Sequence, residues 1–172
     1  MLGYVTAEGR GASDRLLAGV AEALRARGVP LAGAVQVNRD TDPAKKCDMD
    51  LHILSGTDRV RISQDLGRLS RGCRLDPDGL ERAVGLVAAA LEAGPALLIV
   101  NKYGKQEIGG RGFRPLIGEA LARDIPVLTA VNPGNVAAFL DFAGGMATPL
   151  PPLAGSILEW CGGQAAVAAR GA

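Results

Sequence analysis

The sequence predicts an α/β fold over residues 1–172: one three-layer domain with helices flanking a mostly parallel sheet and a small hairpin insertion. Three observations predict it. A strand, a loop, a helix and a second strand fit into the first forty residues, which is the building unit of a parallel sheet. The later runs "ALLIV" (96–100) and "IPVLTAV" (125–131) are almost continuously apolar, as strands covered on both faces are. Between such runs, apolar residues recur at helical spacing.

Taken in order, "LGYVT" (2–6) is a short strand and "AEGRGAS" the loop after it. From Ser13 a helix follows, with Leu16, Leu17, Val20, Ala21 and Leu24 on one face and Gly28 at its end. "LAGAVQV" (31–37) is the second strand. The polar "NRDTDPAKKC" then leads to "MDLHIL" (49–54) and "RVRIS" (59–63), and the turn-like "SGTD" between them makes a hairpin. "QDLGRLSRGC" reads as a loop. Asp76 supplies an N-cap and Pro77 the first helical position; Leu80, Ala83, Val84, Val87 and Leu91 continue that helix until Gly94-Pro95. "FRPLIGEALARD" and "NVAAFLDFA" are helical, "TPLPPL" is a Pro-rich connection, and "GSILEWCGGQAAVAAR" closes the chain as a helix.

Composition narrows the function. The chain is 48% hydrophobic but has only six aromatic residues, so Leu, Val, Ile and Ala must build the core. Nineteen Lys and Arg against eighteen Asp and Glu leave a net charge of +1, which gives no global pull toward nucleic acid or an acidic membrane. Any anion site is therefore local. No apolar run reaches the length of a membrane span, and the N-terminus lacks the pattern of a signal peptide. Cys47, Cys73 and Cys161 are odd in number and have neither disulfide-framework nor zinc spacing. A reduced, cytoplasmic protein is expected, with no nucleic-acid partner and no membrane insertion.

Three constellations carry chemistry. The first is the loop after the first strand, where Gly9, Arg10, Gly11 and Ser13 precede a helix whose N-terminus would attract an anion. Against the phosphate-binding pattern G-x-x-x-x-G-K-[ST], Ser13 matches, Thr6 stands at the first glycine and Ala12 replaces the lysine. A plain strand-to-helix turn accounts for the same residues. The second is Asn101, Lys102, Lys105, Glu107, Arg111 and Arg114, interleaved with glycines that allow close ligand approach. Its cations suit an anionic ligand better than a divalent metal; a solvated basic loop is the alternative. The third is Cys47, Ser63, Gln64, Asp65 and Cys73, a possible loop closing over the other two, or else structural cysteines. His52 is the sole histidine, and no G-x-S-x-G elbow is present, so no catalytic residue is assigned.

The segments "TAEGRGASDRLLAGVAEALRARGVPLAGAVQ", "MDLHILSGTDRVRIS", "CRLDPDGLERAV", "LLIVNKYGKQE" and "IPVLTAV" resemble, in order, a family of small P-loop nucleoside-triphosphatases. The phrases "ISQDLG", "GCRLDP", "NKYGKQE" and "GRGFR" resemble more closely an uncharacterised bacterial domain-of-unknown-function family related to them. Some of its members are named as molybdenum-transport ATP-binding proteins. The resemblance implies a P-loop NTPase-like fold with three chemical parts replaced. Ala12 stands for the phosphate lysine, Asn101 for the magnesium-supporting acid and Lys102 for the water-activating acid. A neutral amide cannot anchor the metal's water shell as a carboxylate does, and an ammonium is no base.

The expected function is binding of a nucleotide or another phosphate-like oxyanion by a degenerate P-loop fold, without efficient hydrolysis. Gly9, Arg10, Gly11, Ser13, Asn101, Lys102, Lys105, Arg111 and Arg114 would hold this small anionic ligand, and magnesium is not required. Two alternatives differ in class. One is a nucleoside-triphosphatase with rearranged residues, its carboxylate supplied by Glu107, Asp65 or Glu8. The other is a molybdate-binding accessory protein with a protein partner in molybdenum metabolism.

Overall fold

The computed structural model describes residues 1–39, 48–64 and 75–171. Among them, seven strands form one sheet: β1 (Leu2–Val5), β2 (Leu31–Arg39), β3 (Asp48–Ile53), β4 (Arg59–Arg61), β5 (Leu97–Tyr103), β6 (Val127–Val131) and β7 (Ala147–Leu150). Their order is β4-β3-β2-β5-β6-β1-β7. The five strands from β2 to β7 run parallel, while β3 is antiparallel to both β2 and β4. The expected hairpin insertion is thus the antiparallel margin of the sheet.

Among the described residues, six α-helices accompany these strands: α1 (Ala12–Ala26), α2 (Pro77–Glu92), α3 (Lys105–Ile108), α4 (Arg114–Ala122), α5 (Val136–Ala143) and α6 (Ala154–Gly171). Alternation along the strands divides the core in two. Leu97 and Ile99 of β5 pack with Leu17, Val20 and Leu24 of α1 and Ile157 of α6. Leu98 and Val100 pack on the other face with Leu80, Val87 and Leu91 of α2, Ile117 of α4 and Phe139 of α5. Three layers result because each buried strand offers an apolar surface to both sides. Asp76 caps α2 as its sequence implies, its carboxylate accepting the Asp78 N–H at 3.1 Å. Among the described residues, no helix is long and apolar enough to cross a membrane.

Three elements differ from expectation. The Pro-rich "TPLPPL" contributes β7, which tolerates Pro149 because it pairs with β1 alone, at the edge of the sheet. Strand β5 runs on to Tyr103, so Asn101 and Lys102 belong to the strand, with an irregular register against β6 between Val100 and Tyr103. The basic loop contains the single turn α3, too short for a periodic signal.

The spacing of β2 and β5 depends on Gly33, which faces Ile99 with φ +117°. A Cβ there would collide with the Ile99 carbonyl. Gly33→Ala should cost about 3 kcal/mol or more in urea unfolding. Gly28→Ala, at φ +73° with open space around it, should cost only about 1 kcal/mol. Equal losses would mean that the close approach at Gly33 does not limit the sheet.

Candidate functional site

The loop after β1 turns on Gly9 (φ +94°) and Gly11 (φ +69°). Gly11 is the N-cap of α1 and contributes no side-chain cap, so the first N–H groups of the helix depend on other partners. The Ala12 N–H is turned back to the Gly9 carbonyl at 3.2 Å. Arg10 is exposed. Arg15, which sequence reasoning passed over, lies across the loop: its Nη1 donates to the Arg10 carbonyl at 3.4 Å. A Cβ on Gly11 would stand 3.2 Å from that same Nη1. The available signal was its position one helical turn after the loop.

Asp14, on the first turn of α1, was also missed. It is only 3% exposed and gathers donors from two strands. Its Oδ1 accepts from Asn101 Nδ2 at 3.0 Å and from Lys102 Nζ at 3.1 Å. Its Oδ2 accepts from Asn38 Nδ2 at 2.7 Å and Gln36 Nε2 at 3.4 Å. Gln36 also donates to Asn38 Oδ1 at 2.7 Å, which closes the network. An acid in the first turn after a glycine cap was the legible part, since it complements the helix dipole. Lys102, 88 residues away, was not a legible partner.

The remaining residues of the basic cluster take separate roles. Glu107 is 4% exposed and places Oε2 on the Gly104 N–H at 2.9 Å and Oε1 on the Phe113 N–H at 3.1 Å. Burial pushes its carboxyl above the ordinary value, although the backbone donors work in the opposite direction. Arg114 Nη1 donates to the Glu107 and Ile108 carbonyls at 3.3 and 3.4 Å, and its guanidinium lies 4.6 Å over the Phe142 ring. Lys105 and Arg111 are exposed.

Ser63 and Gln64 tie the hairpin to the start of α2. Ser63 Oγ accepts the Met49 N–H at 3.0 Å, and Gln64 Nε2 donates to the Leu75 carbonyl at 2.7 Å. Cys47, Asp65 and Cys73 lie outside the described residues. Cys161 is buried in the α1–α6 core, which pushes its thiol up to about 12 and suits packing rather than chemistry. Beside Asn101 and Lys102, a cavity of about 370 Å³ opens between β3, α2 and the segment that follows β5. No three His, Cys, Asp or Glu side chains come together as a metal site among the described residues.

A family model described as "Protein of unknown function (DUF2478)" matches residues 2–160. The chain belongs to that family. A relative of the DUF2478 chain, the molybdenum import ATP-binding protein ModC 2 of Bradyrhizobium diazoefficiens, is 37% identical over 138 residues. That match takes in 80% of this chain but only 15% of the relative's length. The solution structure of a human cancer-related nucleoside triphosphatase matches with a TM-score of 0.61 over 86% of each chain, at 17% identity. The expected nucleoside-triphosphatase-like α/β fold is therefore present.

Two predictions follow from the site's electrostatics. Lys102→Met leaves Asp14 with its amide donors but no counter-charge. It should cost about 1–3 kcal/mol, below the full cost of an unpaired buried charge because Lys102 is partly solvated. Combined with Asp14→Asn, the two losses should fall short of their sum in urea unfolding; strict additivity would mean that the pair contributes nothing. For Glu107 the folded pKa is raised, so its protonated form favours the native state. That contribution is complete below the unfolded value near 4.5 and is lost as pH rises through the folded pKa. The stability difference between wild type and Glu107→Gln should therefore shift toward the variant as pH rises from about 4.5, and a difference flat with pH would contradict it.

Proposed function

We propose that this chain binds a nucleotide or another phosphate-like oxyanion at the Gly9–Ser13 loop, without efficient hydrolysis. The pairing of Asn101 and Lys102 with Asp14 carries the reading. The two positions at which the resemblance implies metal-supporting and water-activating acids hold an amide and an ammonium. Both point into the protein's own carboxylate. Asp14 has both oxygens occupied, and Glu107 has both of its own on backbone N–H groups. Neither is free to anchor magnesium's water shell or to take a proton from attacking water.

These residues do not fit magnesium-assisted phosphoryl transfer. Binding has better support. The loop turns on two positive-φ glycines at the start of α1, where the helix dipole favours negative charge. Arg10 and Arg15 bring cations beside it, and Arg111 is exposed on the segment after β5. The nucleoside triphosphatase that shares the fold and the ATP-binding relative both favour a nucleotide as the ligand. The molybdenum import named in that relative makes molybdate, a tetrahedral oxyanion of similar shape, the second reading. It brings with it a protein partner in molybdenum metabolism.

Calorimetric titration of phosphate-free protein with ATP, GTP and molybdate, each with magnesium or with EDTA, tests both readings. Nucleotide affinity should be the same with and without the metal, and phosphate release should stay at background. Arg10→Ala should weaken binding about tenfold, the loss expected for one charge-assisted hydrogen bond. Strictly magnesium-dependent binding with phosphate release would overturn this proposal in favour of a rearranged hydrolase. Binding of molybdate alone would select the second reading.

A further inference from the structure

The cavity beside β5 is not part of the phosphate loop. None of residues 9–13 lines it, whereas Gln36, Asn101 and Lys102 do. The side chains that hold Asp14 therefore form a wall with the loop on one side and the cavity on the other. We propose that this cavity is a second binding site, separate from the loop, and that it takes a purine nucleoside monophosphate.

Its position is where parallel sheets bind ligands, at the C-terminal ends of β5 and β2. Its volume of about 370 Å³ is that of a small-molecule site. Leu51, Ile62, Leu80 and Phe113 supply an apolar wall suited to the faces of a flat ring. The side-chain amides of Gln36, Asn101, Gln106, Asn132 and Asn135 also line it, presenting donors and acceptors together as a ring edge does.

Asn101 sets the polarity of one such contact. Its Nδ2 must face the Asp14 carboxylate, because the flipped amide would set two acceptors against each other. Its Oδ1 is then the remaining acceptor, and it is buried without a hydrogen-bond partner. Nine-tenths and more of the residue is shielded from solvent, so bulk water does not satisfy this oxygen. A ligand N–H that reaches this oxygen would.

The same residues argue against other occupants. A bare oxyanion would lose its hydration against four apolar side chains. An acyl chain would leave the amides unpaired. A ring with N–H donors meets both surfaces, and the exposed Lys105 on the lining receives the phosphate. Leu75, half-buried on the same lining, controls the space available.

The test titrates the full chain with GMP and AMP by calorimetry and by methyl-detected NMR, with orthophosphate as a competitor. At least one nucleotide should bind saturably and shift the methyl signals of Leu51, Ile62 and Leu80, and orthophosphate should not displace it. Leu75→Trp, which fills the space, should weaken binding at least about tenfold, and Lys105→Ala several-fold. Leu75→Met, which keeps the volume, should bind as wild type does and controls for misfolding. Arg10→Ala should leave this affinity within twofold, which separates the cavity from the loop. No saturable binding of either nucleotide would overturn the proposal. So would binding that is lost in Arg10→Ala and kept in Leu75→Trp, since the ligand would then sit on the loop.

Discussion

One buried carboxylate organises this end of the molecule. Asp14 is almost wholly removed from water, and an unpaired charge in that position would be costly. Its donors come from the ends of β2 and β5, so the start of α1 is fixed against both strands by the demand that one side chain be satisfied. The helix dipole adds to the same effect, since a negative group in the first turn is favoured. The Gly9–Gly11 turn, the polar wall of the cavity and the inward course of Lys102 all follow from that arrangement.

The basic cluster after β5 carries less free charge than its composition suggests. Lys102 is matched to Asp14, and Arg114 closes the carbonyl end of α3 while lying on Phe142. That aromatic contact belongs to a larger group: Tyr103 lies 5.1 Å from Phe139 and 5.3 Å from Phe142. A chain with six aromatic residues has therefore placed four of them, counting Tyr4 against Phe139, where β1, β5 and α5 meet. Glu107 completes the frame by binding the N–H groups at both ends of the segment between β5 and α4. Gly112 permits this, because a Cβ there would strike the Glu107 carboxylate. Two residues that the sequence offers for other roles, Glu107 as the carboxylate of a rearranged hydrolase and Arg114 as a ligand-binding cation, hold the segment in shape.

The layers were legible because burial on both faces leaves a mark on local sequence. "ALLIV" and "IPVLTAV" could hardly be anything but covered strands, and Asp76-Pro77 announces α2 by the chemistry of its own cap. β7 was hidden because prolines normally argue against a strand, and only the sheet order shows that this one needs few ladder bonds. The candidate site was legible as a list of residue types but not as a set of contacts. Nothing local distinguishes Lys102, which turns inward, from Lys105, which does not. The choice is made by Asp14, far away in the chain, and hydrophobic periodicity carries no information about a polar pairing at that separation.

On the proposed reading, the charge at the end of β5 gives Asn101 and Lys102 a physical sense. An acidic pair there would carry two negative charges, and an anionic ligand approaching the α1 N-terminus would need a divalent cation to offset them. With Asn101 and Lys102 in those places the pair contributes one positive charge, and Asp14 brings the sum back to neutral through contacts of 3.0 and 3.1 Å. An anion arriving at the Gly9–Gly11 loop then meets no net repulsion from this cluster. On that reading, the dipole of α1 and the Arg15 guanidinium, which lies across the loop, would act on it without a metal between. An amide and an ammonium in place of two acids would, on the proposed reading, also remove the electrostatic reason for magnesium. The pairing with Asp14 and the field that an anion would meet at the loop both depend on the sign of the charge at the end of one strand.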